Sequence, residues 1–194
     1  MSAERLGFYF DGTRCVGCKT CQMACKEKND LPLGIMYREV FSYETGAYPD
    51  ATMYHLSKTC NHCYEPECVR TCPVGAMYKS DEDGTIQHDD ELCIGCQNCV
   101  KSCPYGVPKY FDDKKITGKC NACIDTREED GSPVCVAACM MRAIEFGPYD
   151  ELAKKHPDAV ADLPCLPDSS QTGPSSLLDA KKAALNESFE LLHL

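Results

Sequence analysis

Large apolar side chains are scarce in this chain. Leu, Ile, Val and Phe together supply 35 of 194 residues, about 18%, against a formal charge of −10. That balance excludes a fold held by apolar burial alone, because chains so poor in core formers and so charged stay disordered without other support. Long hydrophobic runs are missing as well. The longest, Val134 to Met141, has eight residues, far short of the roughly eighteen that span a bilayer. No membrane-crossing helix is expected. A basic start followed by an apolar block is also lacking before Phe8-Tyr9-Phe10, so no self-directed export is expected either.

What the chain has instead is sulfur, 17 cysteines in all. Disulfides suit short secreted chains, but an odd count, no export signal and repeated C-x-x-C steps argue against them. Zinc takes four ligands in a closed tetrahedron, usually from two separated C-x-x-C pairs. A third cysteine continuing the same run, as in Cys15, Cys18 and Cys21, exceeds what one zinc knuckle supplies. Iron–sulfur clusters fit the pattern.

Sixteen of the cysteines fall into four groups of four. The first is Cys15, Cys18, Cys21 and Cys25, and the second is Cys60, Cys63, Cys68 and Cys72. The third, Cys93, Cys96, Cys99 and Cys103, has the bacterial ferredoxin gaps of two, two and three. The fourth is Cys120, Cys123, Cys135 and Cys139. Sixteen thiolates are what four [4Fe–4S] cubes require. Two residues between ligands let a tight loop wrap three corners of a cube with backbone N–H groups turned toward the sulfides. The fourth cysteine is expected to begin a short helix, face away and ligate the other cube of a pair. The longer insertions, "CYEPEC" and "CIDTREEDGSPVC", read as loops with turns at Pro66, Gly131 and Pro133.

Pairing follows from shared features. The second and third groups each end in Cys-Pro and enclose "GTIQHDDELC", a turn and strand leading into the next loop. They read as a self-contained two-cluster ferredoxin, with the first and fourth groups as an outer pair. One inner cube is then held by Cys60, Cys63, Cys68 and Cys103, the other by Cys93, Cys96, Cys99 and Cys72. The outer cubes take Cys15, Cys18, Cys21 and Cys139, and Cys120, Cys123, Cys135 and Cys25. Sequential pairing, first with second and third with fourth, is the competing arrangement.

At "GFYFDGTRCVGCKTCQMACK", "CNHCYEPECVRTCPVGAM", "CIGCQNCVKSCPYGVPKY" and "KCNACIDTREEDGSPVCVAACMMRAIEFGPYDELAKKHPD" the chain resembles the four-cluster iron–sulfur subunit of dimethyl sulfoxide reductase and its relatives among the molybdopterin oxidoreductases. The resemblance covers residues 7 to about 158, and "FGPYDELAKKH", which binds no metal, points to this branch. It implies nested modules and a roughly linear row of cubes. The cube of Cys15, Cys18, Cys21 and Cys139 would lie nearest the molybdopterin of a catalytic partner. That of Cys93, Cys96, Cys99 and Cys72 would lie toward a membrane anchor that oxidises quinol. Related nitrate reductase subunits carry Trp at a position that looks like Cys96 here, so four complete cubes are expected. Relatives in formate dehydrogenases carry a C-terminal membrane helix that this sequence does not show. The chain departs from the pattern at Cys139-Met140, where relatives often have proline, and matches poorly beyond Pro164.

The expected fold class is therefore α+β, with tandem, nested ferredoxin-like modules, long loops and a C-terminal tail helix. Residues 1–147 form the four-cluster domain, with an inner module at about 54–112 and an outer one from 1–53 plus 113–147. Residues 148–194 form a linker and a helix read as partner-binding. The helix is placed from Ser176 to His193. A capping-box pattern at Ser176 and Asp179 stands behind Pro174, and Leu178, Leu185, Phe189 and Leu192 make an apolar stripe. The stretch "PDSSQTGPSS" reads as a flexible linker.

Smaller features have plain readings. His62, inside "CNHC", is a hydrogen-bond donor near a cluster or simple packing. Lys19, Lys26, Lys28 and Arg142 either offset cluster charge or are solvated. Cys165 is a free thiol in a loop. The acidic runs "SDEDG" and "REEDG" lack calcium-ligand spacing and read as solvated turns.

The implied chemistry is one-electron transfer, with no catalytic constellation in the chain itself. Each oxidised four-thiolate cube carries −2, so four would bring the chain to about −18. Such a field disfavours nucleic acid and favours complementary protein surfaces. The leading function is an electron-conducting subunit between a molybdopterin-containing catalytic subunit and a quinol-linked membrane anchor or soluble donor, as in anaerobic respiration. The alternative is a free-standing soluble polyferredoxin. The location expected is cytoplasmic, or exported folded with a signal-bearing partner, and peripheral at the cell membrane as part of a complex.

Overall fold

The computed structural model describes residues 5–193, without the side chains of 128–130. In chain order the elements are β1 (Leu6–Asp11), α1 (Thr20–Lys28), β2 (Glu39–Thr45), β3 (Thr52–Lys58), α2 (Glu67–Arg70), β4 (Met77–Lys79), β5 (Ile86–His88) and α3 (Asn98–Ser102). They continue with β6 (Lys109–Phe111), β7 (Ile116–Gly118), α4 (Ile124–Asp130), α5 (Val134–Ala137), β8 (Ile144–Pro148), α6 (Tyr149–Lys155), β9 (Ser176–Asp179) and β10 (Glu190–Leu192). The fold is α+β, as the cysteine pattern implies.

The sheets are small. The hairpins β4–β5 and β6–β7 follow the second and third cysteine groups, and the turn and strand expected in "GTIQH" is β5. Strand β1 pairs antiparallel with β8, just after the fourth group, so the first and last group share one sheet. A third sheet has the order β10-β2-β3. Its alternating side chains place Val40 against Tyr54 and Leu56 in the main core with Phe8, Phe10 and Ile144.

Thiols complete every core that surrounds a cysteine group. Cys21, Cys135 and Cys139 belong to the main core. Cys60 and Cys120 pack with Tyr105 and Val107. Cys68 and Cys99 pack with Met77 and Ile86. Sulfur thus occupies volume that aliphatic side chains fill in other domains, which accounts for the thin apolar composition.

Two expectations are corrected. The helices do not begin at the fourth cysteine of a group. Helix α1 contains both Cys21 and Cys25, while α2, α3 and α5 contain the third cysteine, with the fourth at the end or just beyond. The third and fourth thiols therefore leave opposite ends of one helical turn. The insertion of the fourth group is itself partly helical, as α4, and closes on left-handed Gly131, the usual helix-ending use of that residue.

The second correction concerns the tail, which forms no helix from Ser176 to His193. Ser176–Asp179 is β9, pairing parallel to the free edge of β1. A 3₁₀ turn follows at Lys182–Leu185, and β10 then adds to β2. Tertiary partners capture the residues that mimic a capping box: Ser176 Oγ donates to Asn61 Oδ1 at 3.0 Å, and Tyr9 donates to Asp179 at 2.6 Å. Strand alternation buries Leu177 beside Tyr9 and Leu152, and Leu178 in the main core. The preceding segment is no flexible linker. Thr172 and Ser175 are fully buried, and the segment bonds to the second cysteine loop through Tyr64 N–H to Gly173 C=O (2.7 Å) and Ser175 Oγ to His62 C=O (2.7 Å).

Candidate iron–sulfur centres

The cysteine loops repeat one backbone device. The residue before the second cysteine is left-handed in every group: Gly17 (φ 69°), His62 (φ 43°), Gly95 (φ 67°) and Ala122 (φ 56°). Reversing handedness there curls the loop so that the flanking thiols converge. At Gly95 nothing larger fits, because a Cβ would lie 2.0 Å from the Lys115 carbonyl oxygen. The sequence hides the device, since only two of the four residues are glycine.

Convergence is direct for two sets. Cys15, Cys18, Cys21 and Cys139 line one cavity beside Val16, Met141 and Ile144. Cys72, Cys93, Cys96 and Cys99 line another beside Val74, Ile94 and Thr117. Each unites three cysteines of one group with the last cysteine of another. For the remaining eight, electrostatics shows the neighbours. Burial raises the Cys25 thiol pKa, and Cys120, Cys135 and Cys123 raise it further. Burial likewise raises Cys68 to about 12, with Cys103 and Cys63 among the thiols adding to it. Cys135 rises to about 11 through burial, opposed by Arg38 and reinforced by Cys120 and Cys123. Mutual repulsion of this kind means shared sites. Helices α1 and α5 pack together, as do α2 and α3, where Thr71 Oγ1 and Ser102 Oγ meet at 3.0 Å.

Donors to sulfur complete the setting. Backbone N–H groups of Met77, Ala122 and Ala143 point at Cys72, Cys120 and Cys139 at 3.5, 3.4 and 3.3 Å. Thr117 Oγ1 lies 3.4 Å from Cys99 and 3.7 Å from Cys93. His62 is fully buried. Its Nδ1 accepts from Ile86 N–H at 3.0 Å, which leaves Nε2 to carry the proton 3.9 Å from Cys120 Sγ. Burial, then Lys119, holds its pKa well below the ordinary range, so His62 is a neutral donor.

Two buried cations escaped the sequence reading. Arg38 is 2% exposed and Lys119 4% exposed. Neither joins an ion pair with a carboxylate among the described residues. Lys119 donates to the carbonyls of Ile86 and Cys120. Lone basic residues in "MYREV" and "TGKC" carry no signal of burial. The cations singled out from the sequence have other uses: Lys26 donates to Leu31 and Pro32 carbonyls at 2.6 Å, Lys28 pairs with Asp125, and Arg142 donates to Ala137 C=O. Cys165 is half-buried against the main core, outside every set.

Converging thiols, sulfur-directed N–H groups and cations lacking carboxylates all fit polyanionic iron–sulfur clusters. The class so defined is an iron–sulfur electron-transfer protein. Similarity to known proteins agrees. The 4Fe-4S dicluster domain family matches residues 51–149, and a 4Fe-4S binding domain matches 13–30. The iron–sulfur subunit of anaerobic dimethyl sulfoxide reductase from Escherichia coli K12 is 45% identical over 168 residues, 81% of this chain and 82% of that one. Its Haemophilus influenzae counterpart is 38% identical over 190 residues, 93% and 92% of the two chains. The iron–sulfur subunit of the sulfite dehydrogenase from Allochromatium vinosum is 36% identical over 164 residues, 74% and 68%. The chain belongs to the 4Fe-4S dicluster family of iron–sulfur electron-transfer subunits that includes those of the dimethyl sulfoxide reductases. Its cofactors are [4Fe–4S] clusters, and its cysteine count fits four.

Proposed function

We propose that the chain is the electron conductor of a respiratory oxidoreductase complex, joining a molybdopterin-containing catalytic subunit to a quinol-linked membrane anchor. The bound clusters would supply one-electron steps, and the chain's residues fix their order and environment. The ligand sets in this reading are the nested ones: Cys15, Cys18, Cys21 with Cys139; Cys120, Cys123, Cys135 with Cys25; Cys60, Cys63, Cys68 with Cys103; Cys93, Cys96, Cys99 with Cys72. The two shared cavities and the mutual electrostatics of the other thiols support this pairing over the sequential one. The inner module at about 54–112 and the outer one from 1–53 plus 113–147 follow the same division. The tail from 148 joins the outer module instead of serving as a partner clasp, because β9 extends the β1 sheet.

The observation that carries the reading is where sulfur meets solvent. Of the seventeen cysteines, all within the described residues, only Cys18 and Cys96 are exposed. They belong to different sets, and each is flanked by exposed apolar residues: Val16 and Met141 beside Cys18, Val74 and Ile94 beside Cys96. A carrier that accepts and passes electrons at one face needs one such patch, whereas a conductor needs two. Among the described residues no helix is long and apolar enough to cross a membrane, so membrane contact in this reading runs through a partner. Native anaerobic purification tests the proposal. A molybdenum-containing chain should co-elute with this one at about sixteen iron atoms per copy. An iron-loaded monomer without such a partner refutes it in favour of the free polyferredoxin.

A further inference from the structure

Arg38 precedes β2 by one residue and lies under the main core, with its guanidinium carbon 4.8 Å from the Phe8 ring centre. Its Nη1 donates to the Ser57 hydroxyl at 3.0 Å and to the Ser57 carbonyl at 3.4 Å. Nε and Nη2 have no hydrogen-bond partner. A guanidinium this buried, with neither carboxylate nor full complement of acceptors, is strongly unfavourable unless other negative charge offsets it. The negative charge that bears on it comes from Cys135, Cys21, Cys120 and Cys25. These thiols come from both outer sets, Cys21 from one and the other three from the second. Ser57 adds a directional link. Its oxygen accepts from Arg38, which frees its own proton for Cys21 Sγ at 3.5 Å.

We propose that Arg38 is a fixed countercharge that raises the reduction potential of the two outer centres, acting on the Cys21 centre also through the Ser57 hydroxyl. It is a positioning residue, not a ligand. The physical reason is simple. Accepting one electron from a neighbouring centre takes a four-thiolate cube from −2 to −3, and a buried positive charge nearby favours the more negative state. Arg38 keeps its proton throughout, so the electron is the sole species transferred. The inner centres have a buried cation of their own, Lys119, which bears on Cys60 and Cys68. The effect of Arg38 should therefore be local.

The inference rests on the nested ligand sets proposed above, and redox titration followed by EPR separates the two. Holoprotein in its native complex is compared with Arg38→Met, Arg38→Lys and Ser57→Ala, with Cys21→Ser used to assign the first outer signal. Arg38→Met should retain about sixteen iron atoms. At the wild-type midpoints its outer centres should show a reduced-to-oxidised ratio at least tenfold lower, a downward shift of about 59 mV for one electron. Arg38→Lys should restore most of that shift, and Ser57→Ala should lower the Cys21 centre alone. Unmoved midpoints in an iron-replete Arg38→Met protein would overturn the inference, as would an equal shift of all four centres. If Arg38→Met fails to retain its clusters, Ser57→Ala decides: an unmoved Cys21 centre refutes the proposal and a selective drop supports it. Iron content below about sixteen in the wild-type protein, or loss of an inner centre in Cys21→Ser, would refute the ligand sets instead.

Discussion

Asp83, in the turn between β4 and β5, accepts from the Thr85 N–H (2.9 Å) and hydroxyl (2.7 Å) and pairs with Arg127 of α4. Its carbonyl also accepts from Leu6 N–H at 3.0 Å, so one residue ties the inner hairpin to outer elements. Burial pushes its carboxyl pKa up, but the Thr85 and Arg127 hydrogen bonds outweigh that and hold it below the ordinary 3.8. A carboxylate depressed in the folded state stabilises the fold fully above its unfolded pKa and loses that contribution as pH falls through the folded one. The contribution should therefore persist at neutral pH and vanish below about pH 4. Asp83→Asn should lower the bleaching temperature of the holoprotein at pH 7, and the gap to wild type should close as acid is added. Bleaching temperatures measured across that range check both halves. The acidic run holding Asp83 reads from sequence as a solvated turn, because nothing local announces Arg127 forty-four positions away.

At the scale of elements, β9 and the segment before it tie the two modules together. Arg5 donates to Gly173 and Pro174 carbonyls and to Ser175 Oγ, and Ser175 N–H reaches Asn61 C=O at 2.8 Å. Burial of Leu177 and Leu178 contributes roughly 1.5–3 kcal/mol each, a large share of the roughly 5–15 kcal/mol that holds a typical domain. A chain ending at Leu166 should fail to accumulate with iron, whereas one ending at Glu187, which loses only β10, should load normally. Iron per chain after identical expression reads the difference. The cysteine loops, the hairpin after the second group and the α+β class were legible because ligand spacing is local. The tail was not. Ser176, Asp179 and Leu178 satisfy a helix template in sequence, and only Asn61, Tyr9 and the open edge of β1 turn them into a strand. Arg38 was equally silent, since its burial depends on Phe8 and Ser57, residues remote in sequence.

For the whole molecule, the cores are part sulfur, so iron removal should take the fold with it. Chelation under anaerobic reductant should abolish the strand and helix signal in circular dichroism together with the visible cluster absorbance. A cooperative melt in iron-free protein would show that the apolar residues suffice. The same architecture sets how damage spreads. Cys18, whose thiol pKa is lowered first by the Thr20 hydroxyl, and Cys96 face water, while the other ligands lie at least half-buried. Dioxygen and peroxide attack accessible thiolate chemistry first. On aeration the two termini of the conductor corrode while its middle still holds reducible iron, and the protein fails as a fuse does, at its contacts.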